Sequence, residues 1–220
     1  MGYPTFSANQ LQDRLGKKTD VLSEKTDTGT MLFSRYGARL IGLFPDSALP
    51  NTLWVNPQIE ETMDALSWLI GGERLWLAPE RNFYYENPRD FEGFHVQASL
   101  DPGDYKNVEN LTFENTFSLI NCKTSQLYDS CISARSFHGI ADPYDSGLAC
   151  AGARIEDIIT VTAPDVRMCA WSICQTWTGG TGAGGTGLYP ASSTAHPVEY
   201  FDPVPADRVE VCDGYVRFNL

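Results

Sequence analysis

The sequence predicts an all-β protein, and three observations lead there. At least six runs alternate apolar and polar residues with turn signals between them. Two pairs of runs are joined by two-residue connections suited to hairpins: residues 31–36 and 39–44 across Gly37-Ala38, and residues 209–212 and 215–218 across Asp213-Gly214. Helical periodicity is confined to residues 8–15 and, on one of two equal readings, to residues 60–69, where the other reading is a loop packing Trp68 inward.

Taken in order, residues 1–27 read as a polar lead-in carrying the short helix, and residues 28–220 as a single β domain. The first hairpin, residues 30–44, opens that domain. Leu53-Trp54-Val55 is a short strand. Gly71-Gly72 then lets the backbone turn in a way other residues resist. It leads into Glu73-Arg74-Leu75-Trp76-Leu77-Ala78, where Leu75 and Leu77 alternate with Trp76, as in a strand covered on both faces. Pro79 ends it, because proline cannot donate to a sheet ladder. Residues 81–95 crowd aromatics, acids, two arginines and His95 together. Residues 94–100 alternate like a strand, and Asp101-Pro102-Gly103-Asp104 is a turn. Residues 108–121 form one long strand or a hairpin. Residues 131–137, 155–162 and 168–177 are further strands, the last placing Cys169, Trp171, Ile173 and Gln175 on one face. Residues 179–187 contain Gly182-x-Gly184-x-x-Gly187, but no helical period follows as a dinucleotide fingerprint needs, so they read as a mobile loop. Asp213-Gly214 suits a type I′ turn. The sequence stops at Leu220 on an expected strand, so the reading expects more of the fold to follow.

The 220 residues are 42% hydrophobic, enough for a sizeable core, and carry a formal charge of −12. No lysine follows Lys123. That acidity argues against nucleic acid as a partner, because phosphate contacts need a basic patch. It argues equally against anionic membrane surfaces. Residues 1–16 lack the apolar segment of a secretory leader, and no apolar run approaches the roughly 20 residues that span a bilayer. A soluble, cytoplasmic protein is expected. Six cysteines (122, 131, 150, 169, 174 and 212) lack tight framework spacing, so free thiols are expected. No cofactor motif or structural zinc spacing is present. Asn110-Leu111-Thr112 would be a glycan acceptor only in a secreted protein.

This ordered set resembles the galactose mutarotase-like, or aldose 1-epimerase-like, superfamily, in particular its branch with a Gly-Gly-x-x-x-Trp-x-x-Pro-Glu signature. Gly71-Gly72-Glu73-Arg74-Leu75-Trp76-Leu77-Ala78-Pro79-Glu80 carries the resemblance, supported by the opening hairpin, Asn51-Thr52-Leu53-Trp54, the Trp171…Gln175 strand and Leu188-Tyr189-Pro190. The resemblance implies a β-supersandwich, incomplete at the C-terminus. It also implies a carbohydrate ligand in a cleft near residues 74–95 and, in an enzyme, isomerase chemistry of the aldose 1-epimerase type. The superfamily's late catalytic glutamate has no counterpart here, and Glu92-Gly93-Phe94-His95 stands where relatives carry His-Gly-Phe. A non-catalytic carbohydrate-binding module, a structural β-sandwich and a half that assembles with another chain or another copy of itself therefore stay open.

The candidate proton-transfer residues are His95, whose imidazole titrates near working pH, with Glu80 or Glu92 as its partner. His138 and His196 stand behind His95. The candidate ligand-binding residues are Arg74, Trp76, Tyr84, Trp171 and Gln175. Arg74 is either a planar donor to sugar hydroxyls or the ion-pair partner of Glu73 or Glu80. Trp76 and Trp171, like Trp177, offer a flat face to a sugar or belong to the sandwich core.

Overall fold

A computed structural model describes residues 5–26, 29–46, 48–140, 147, 149–163, 166–177, 185–197 and 203–219. With 48% strand and 13% helix, the protein is all-β. Its contacts divide into two units, one of Thr5–Thr176 and one that contains Trp177–Leu220.

In the first unit, β1 (Val21–Thr26), β2 (Gly29–Ser34), β3 (Arg39–Phe44), β4 (Glu73–Ala78) and β11 (Cys169–Cys174) form one antiparallel sheet in the order β1-β2-β3-β4-β11. A second antiparallel sheet has the order β10-β9-β8-β7, built from β7 (Lys106–Glu109), β8 (Thr112–Asn121), β9 (Gln126–Ile140) and β10 (Gly152–Thr160). A small ribbon pairs β5 (Tyr85–Asn87) with β6 (Glu92–Phe94). The two main sheets pack face to face. Met31 and Phe33 of β2 and Leu40 of β3 share one cluster with Phe113 of β8 and Phe137 of β9, and the rings of Phe33 and Phe137 lie 4.9 Å apart.

The other face of the first sheet is also covered. Period-2 alternation turns Leu32 and Ile41 away from the second sheet. They join Leu11 and Leu15 of α1 (Ala8–Gly16) and Ile59 and Met63 of α2 (Ile59–Asp64) in a second cluster. Ser7 and Gln10 close a capping box on α1, and Arg14 of α1 pairs with Glu60 of α2 at 2.6 Å. The residues read as a polar lead-in thus supply a helix and an edge strand to this unit. Of the two readings of residues 60–69, the helix holds for the first part, and Trp68 packs inward beyond it.

The first hairpin turns through four residues, 35–38, not the two expected: Ser34 pairs with Arg39, the Ala38 N–H donates to the Arg35 carbonyl at 3.1 Å, and Gly37 and Ala38 both adopt positive φ, 76° and 43°. Residues 108–121 resolve into a hairpin, β7 and β8, turning at Asn110-Leu111. Residues 53–55 contribute only isolated bridges, Leu53 to Thr176 and Val55 to Gly71. Residues 94–100 depart further from the expected strand. The ribbon ends at Phe94, and the chain turns at Ser99–Gly103. Gln97 explains this locally. Its side chain donates to the Phe83 and Ile120 carbonyls and accepts from the Ile120 N–H, tethering the segment by a side chain instead of a ladder.

In the second unit, β12 (Thr186–Pro190) and β13 (Val209–Cys212) flank β14 (Tyr215–Asn219) in a three-stranded antiparallel sheet. The turn at Asp213-Gly214 has positive φ only at Gly214, 81°. That is the pattern of a type II turn, not the type I′ turn expected. Most of the glycine-rich stretch, residues 178–184, lies outside the described residues.

β4 is entered through two residues at positive φ, Gly71 at 95° and Gly72 at 73°. The Gly72 N–H donates to the Trp54 carbonyl at 2.8 Å, and its own carbonyl accepts from Gln175 N–H at 3.0 Å. A Cβ on Gly72 would lie 2.5 Å from the Leu40 carbonyl oxygen. Gly72→Ala is therefore expected to lower unfolding free energy by more than about 1 kcal/mol, since the native conformation excludes the new side chain. Urea denaturation checks this, and an unchanged midpoint would contradict it.

Candidate functional site

All six residues of β4 are buried or nearly so. Alternation along the strand sends Glu73 and Arg74 to opposite faces, which is why these sequence neighbours do not pair. Glu73 faces Arg135 of β9, whose Nη2 donates to both carboxylate oxygens at 2.8 and 2.9 Å. Ser172 adds a hydroxyl donor to the same carboxylate at 2.7 Å. Arg135 also donates to Asp157 Oδ1 at 2.7 Å and to the Ala38 carbonyl at 2.7 Å. Burial works against its charge, but Glu73 and Asp157 outweigh it and push its pKa up.

Arg39 makes a second buried pair. Its Nη2 donates to Asp101 Oδ1 at 2.6 Å, and its Nη1 to the Gly71 carbonyl at 3.1 Å. The other Asp101 oxygen accepts the Trp76 indole N–H at 2.7 Å. Asp101 is 2% exposed. It is no mere turn residue. It ties the turn at Ser99–Gly103 to β3 and β4.

Arg74 is the third buried arginine, 6% exposed. Its Nη1 donates to Gln175 Oε1 at 2.9 Å, and its guanidinium carbon lies 4.8 Å from the Trp68 ring centroid and 4.5 Å from that of Trp76. Its Nε is buried without a partner, a trait shared with Arg39. Unlike Arg39 and Arg135, it forms no salt bridge among the described residues, so the expected pairing with Glu73 or Glu80 is not observed. Burial, followed by the nearby charge of Arg39, lowers its pKa to about 10.

Around Arg74 the aromatics form a graded shelf. Trp76 stacks on Tyr84 at 4.6 Å with 22° between the planes. Trp68 and Trp171 meet Trp76 edge-on at 5.2 and 6.1 Å, and Phe94 lies 6.1 Å from both Trp68 and Trp76. Trp76 and Tyr84 are core residues, 3% and 0% exposed. The Tyr84 hydroxyl accepts the Leu77 N–H at 3.0 Å. Trp68, Trp171 and Gln175 are half-buried, and Phe94 is 44% exposed. The structure thus brings Arg74, Trp76, Tyr84, Trp171 and Gln175 together. It adds Trp68, Phe94 and Asp101, which the sequence did not single out for binding.

The proton-transfer candidates are less closely assembled. His95 is half-buried just past β6. Its backbone N–H donates to the Tyr84 carbonyl at 2.9 Å, and its Nδ1 lies 3.1 Å from the Gly93 carbonyl. A carbonyl only accepts, so that contact places the proton on Nδ1 and leaves Nε2 as the basic nitrogen. Glu80 opens the short helix α3 (Glu80–Phe83), and burial raises its pKa. Glu92 is exposed, with Asn87 at 3.5 Å. No hydrogen bond or salt bridge joins His95 to either glutamate among the described residues. A cleft of about 690 Å³ lies elsewhere, lined by Glu24, Glu109 and His138 among others. His196 is exposed in the second unit. Among the described residues, no cluster of three or more His, Cys, Asp or Glu side chains could hold a metal ion, and no helix is long and apolar enough to cross a membrane.

No protein-family model, curated protein or solved structure matches the chain.

Burial raises the pKa of Tyr84, and raises that of Tyr105 to about 12. An unfolded tyrosine titrates near 10, so the neutral folded phenol is the favoured form. Its contribution is complete below about pH 10 and is lost as pH rises through the folded value. Burial likewise raises Tyr36 to about 12, so of the ten tyrosines Tyr36, Tyr84 and Tyr105 are expected to lag in a tyrosinate absorbance titration while urea stability falls above about pH 10. A single ionisation step near pH 10 for all tyrosines, with the fold intact, would contradict this burial.

Proposed function

We propose that the protein recognises a carbohydrate on the shelf formed by Trp68, Phe94 and Trp171 around Arg74 and Gln175. The observation that carries this reading is Arg74 itself, held over two indole rings and bonded to a half-buried glutamine. A sugar presents C–H faces that suit aromatic rings and hydroxyls that suit planar donors. The resemblance to the galactose mutarotase-like superfamily favours the same ligand class.

Recognition is better supported than isomerase chemistry. Aldose 1-epimerase-like turnover would need His95 Nε2 and a carboxylate to act on opposite sides of one sugar, with Glu80, its pKa raised, as the better acid. Each such group typically contributes about 10²–10⁴-fold in rate. We also propose a cytoplasmic location, because the six cysteines form no disulfide. Nucleic acid and membrane are not among its proposed partners.

Intrinsic tryptophan fluorescence and thermal shift against a panel of common monosaccharides and methyl glycosides test the reading. At least one sugar should bind with a dissociation constant in the millimolar range or tighter. Trp171→Ala, assayed well below its own unfolding midpoint, should weaken it at least about tenfold, roughly 1.4 kcal/mol. No response to any sugar would sink the proposal. Mutarotation of glucose or galactose that falls in His95→Ala would favour the enzymatic form over the binding module.

A further inference from the structure

The three buried arginines differ in how their charge is met. Arg39 has Asp101 at 2.6 Å, and Arg135 has Glu73 at 2.8 Å and Asp157 at 2.7 Å. Arg74 has only the neutral oxygen of Gln175 and the faces of Trp68 and Trp76. A cation withdrawn from water without a salt-bridged counterion is costly, and here the cost is only partly offset: Nε has no partner, Arg39 repels from nearby, and Asp101 and Glu73 attract without bonding to it. Gln175 and Trp68, which touch Arg74, and Trp171 and Phe94, which touch Trp76, are the more exposed members of the shelf. Resting on the carbohydrate reading of that shelf, we infer that its ligand carries a carboxylate, as a hexuronic acid does, and that the carboxylate is the missing counterion of Arg74.

The chemistry favours a carboxylate over a phosphate. A guanidinium fork matches a planar carboxylate with two parallel hydrogen bonds, and one cation balances one negative charge. A phosphate monoester carries about −1.5 to −2 at neutral pH and would need further cations. Arg39 is committed to Asp101, Arg81 lies over the ring of Phe91, and Glu80 and Glu92 are acidic. The aromatic faces would hold the sugar ring while the carboxylate reaches Arg74 beside Gln175.

Isothermal titration of the full chain with methyl glucuronide, galacturonide and mannuronide tests this. Each is paired with its methyl ester and with the neutral methyl hexoside, and glucose 6-phosphate serves as a further arm. The expected result is that one uronide binds at least about tenfold tighter than both its ester and its neutral counterpart, with that advantage weakening as salt is raised. The advantage should vanish in Arg74→Gln. The ester comparison uses the unaltered protein, so the test survives a variant that fails to fold. Equal binding of acid, ester and neutral sugar would overturn the carboxylate assignment while leaving the carbohydrate reading intact. Tighter binding of glucose 6-phosphate than of any uronide would overturn it in favour of a phosphate. Binding of no sugar in any arm would overturn both readings.

Discussion

The structure of the first unit depends on the buried contact between Arg135 of β9 and Glu73 of β4. It joins the two sheets through their interior, where an unpaired charge would be most expensive. Its partners saturate it: two carboxylates and the Ala38 carbonyl on the arginine, the arginine and Ser172 on the glutamate. The cluster of Phe33, Phe113 and Phe137 supplies the bulk of apolar burial in this region. It would tolerate small shifts between the sheets. A fork of fixed geometry, with each donor spent on a different element, tolerates far fewer, and so sets the register in which the rest of the unit packs.

That register has a consequence for the opposite face of β4. With Glu73 committed inward to Arg135, alternation places Arg74 and Trp76 together on the other side, against Trp171 and Ile173 of β11. Asp101, the nearby carboxylate that could have met Arg74, is claimed by Arg39 and the Trp76 indole. Arg74 is left with an aromatic surround and an amide. A fold that gives two buried arginines a salt-bridged carboxylate and a third only neutral partners concentrates its unfavourable electrostatics at one place. Such places are where ligands are bound in many proteins.

Much of this was legible in the sequence. The first hairpin, the glycine entry to β4 and the burial of both β4 faces follow from Gly37-Ala38, Gly71-Gly72 and the Leu75/Trp76/Leu77 alternation. The grouping of Arg74, Trp76, Tyr84, Trp171 and Gln175 was also readable from residue types. Other features were hidden for physical reasons. β1 is an edge strand, and its exposed Ser23 and Lys25 make it look like polar linker. Asp101 sits in an Asp-Pro-Gly-Asp run that advertises a turn, and its two partners are 62 and 25 residues away. Arg135 was the more accessible clue, because Cys131, Ser133 and Phe137 alternate with it on the inward face of β9. A charged residue in that row implies a buried partner. Its identity is a long-range fact that no local pattern carries.

The claim most central to this account is that Arg74, unlike Arg135, is a buried charge met by no salt bridge among the described residues. The most direct test compares the unfolding free energies of Arg74→Met and Arg135→Met with that of the parent by urea denaturation at neutral pH. Methionine keeps apolar bulk in both places and removes the charge. The account predicts a loss of about 3–5 kcal/mol for Arg135→Met, because Glu73 and Asp157 are stranded. It predicts for Arg74→Met a change within about 1 kcal/mol of zero or a gain in stability, because no counterion is orphaned and a desolvated cation is removed. A loss at Arg74→Met as large as that at Arg135→Met would contradict it.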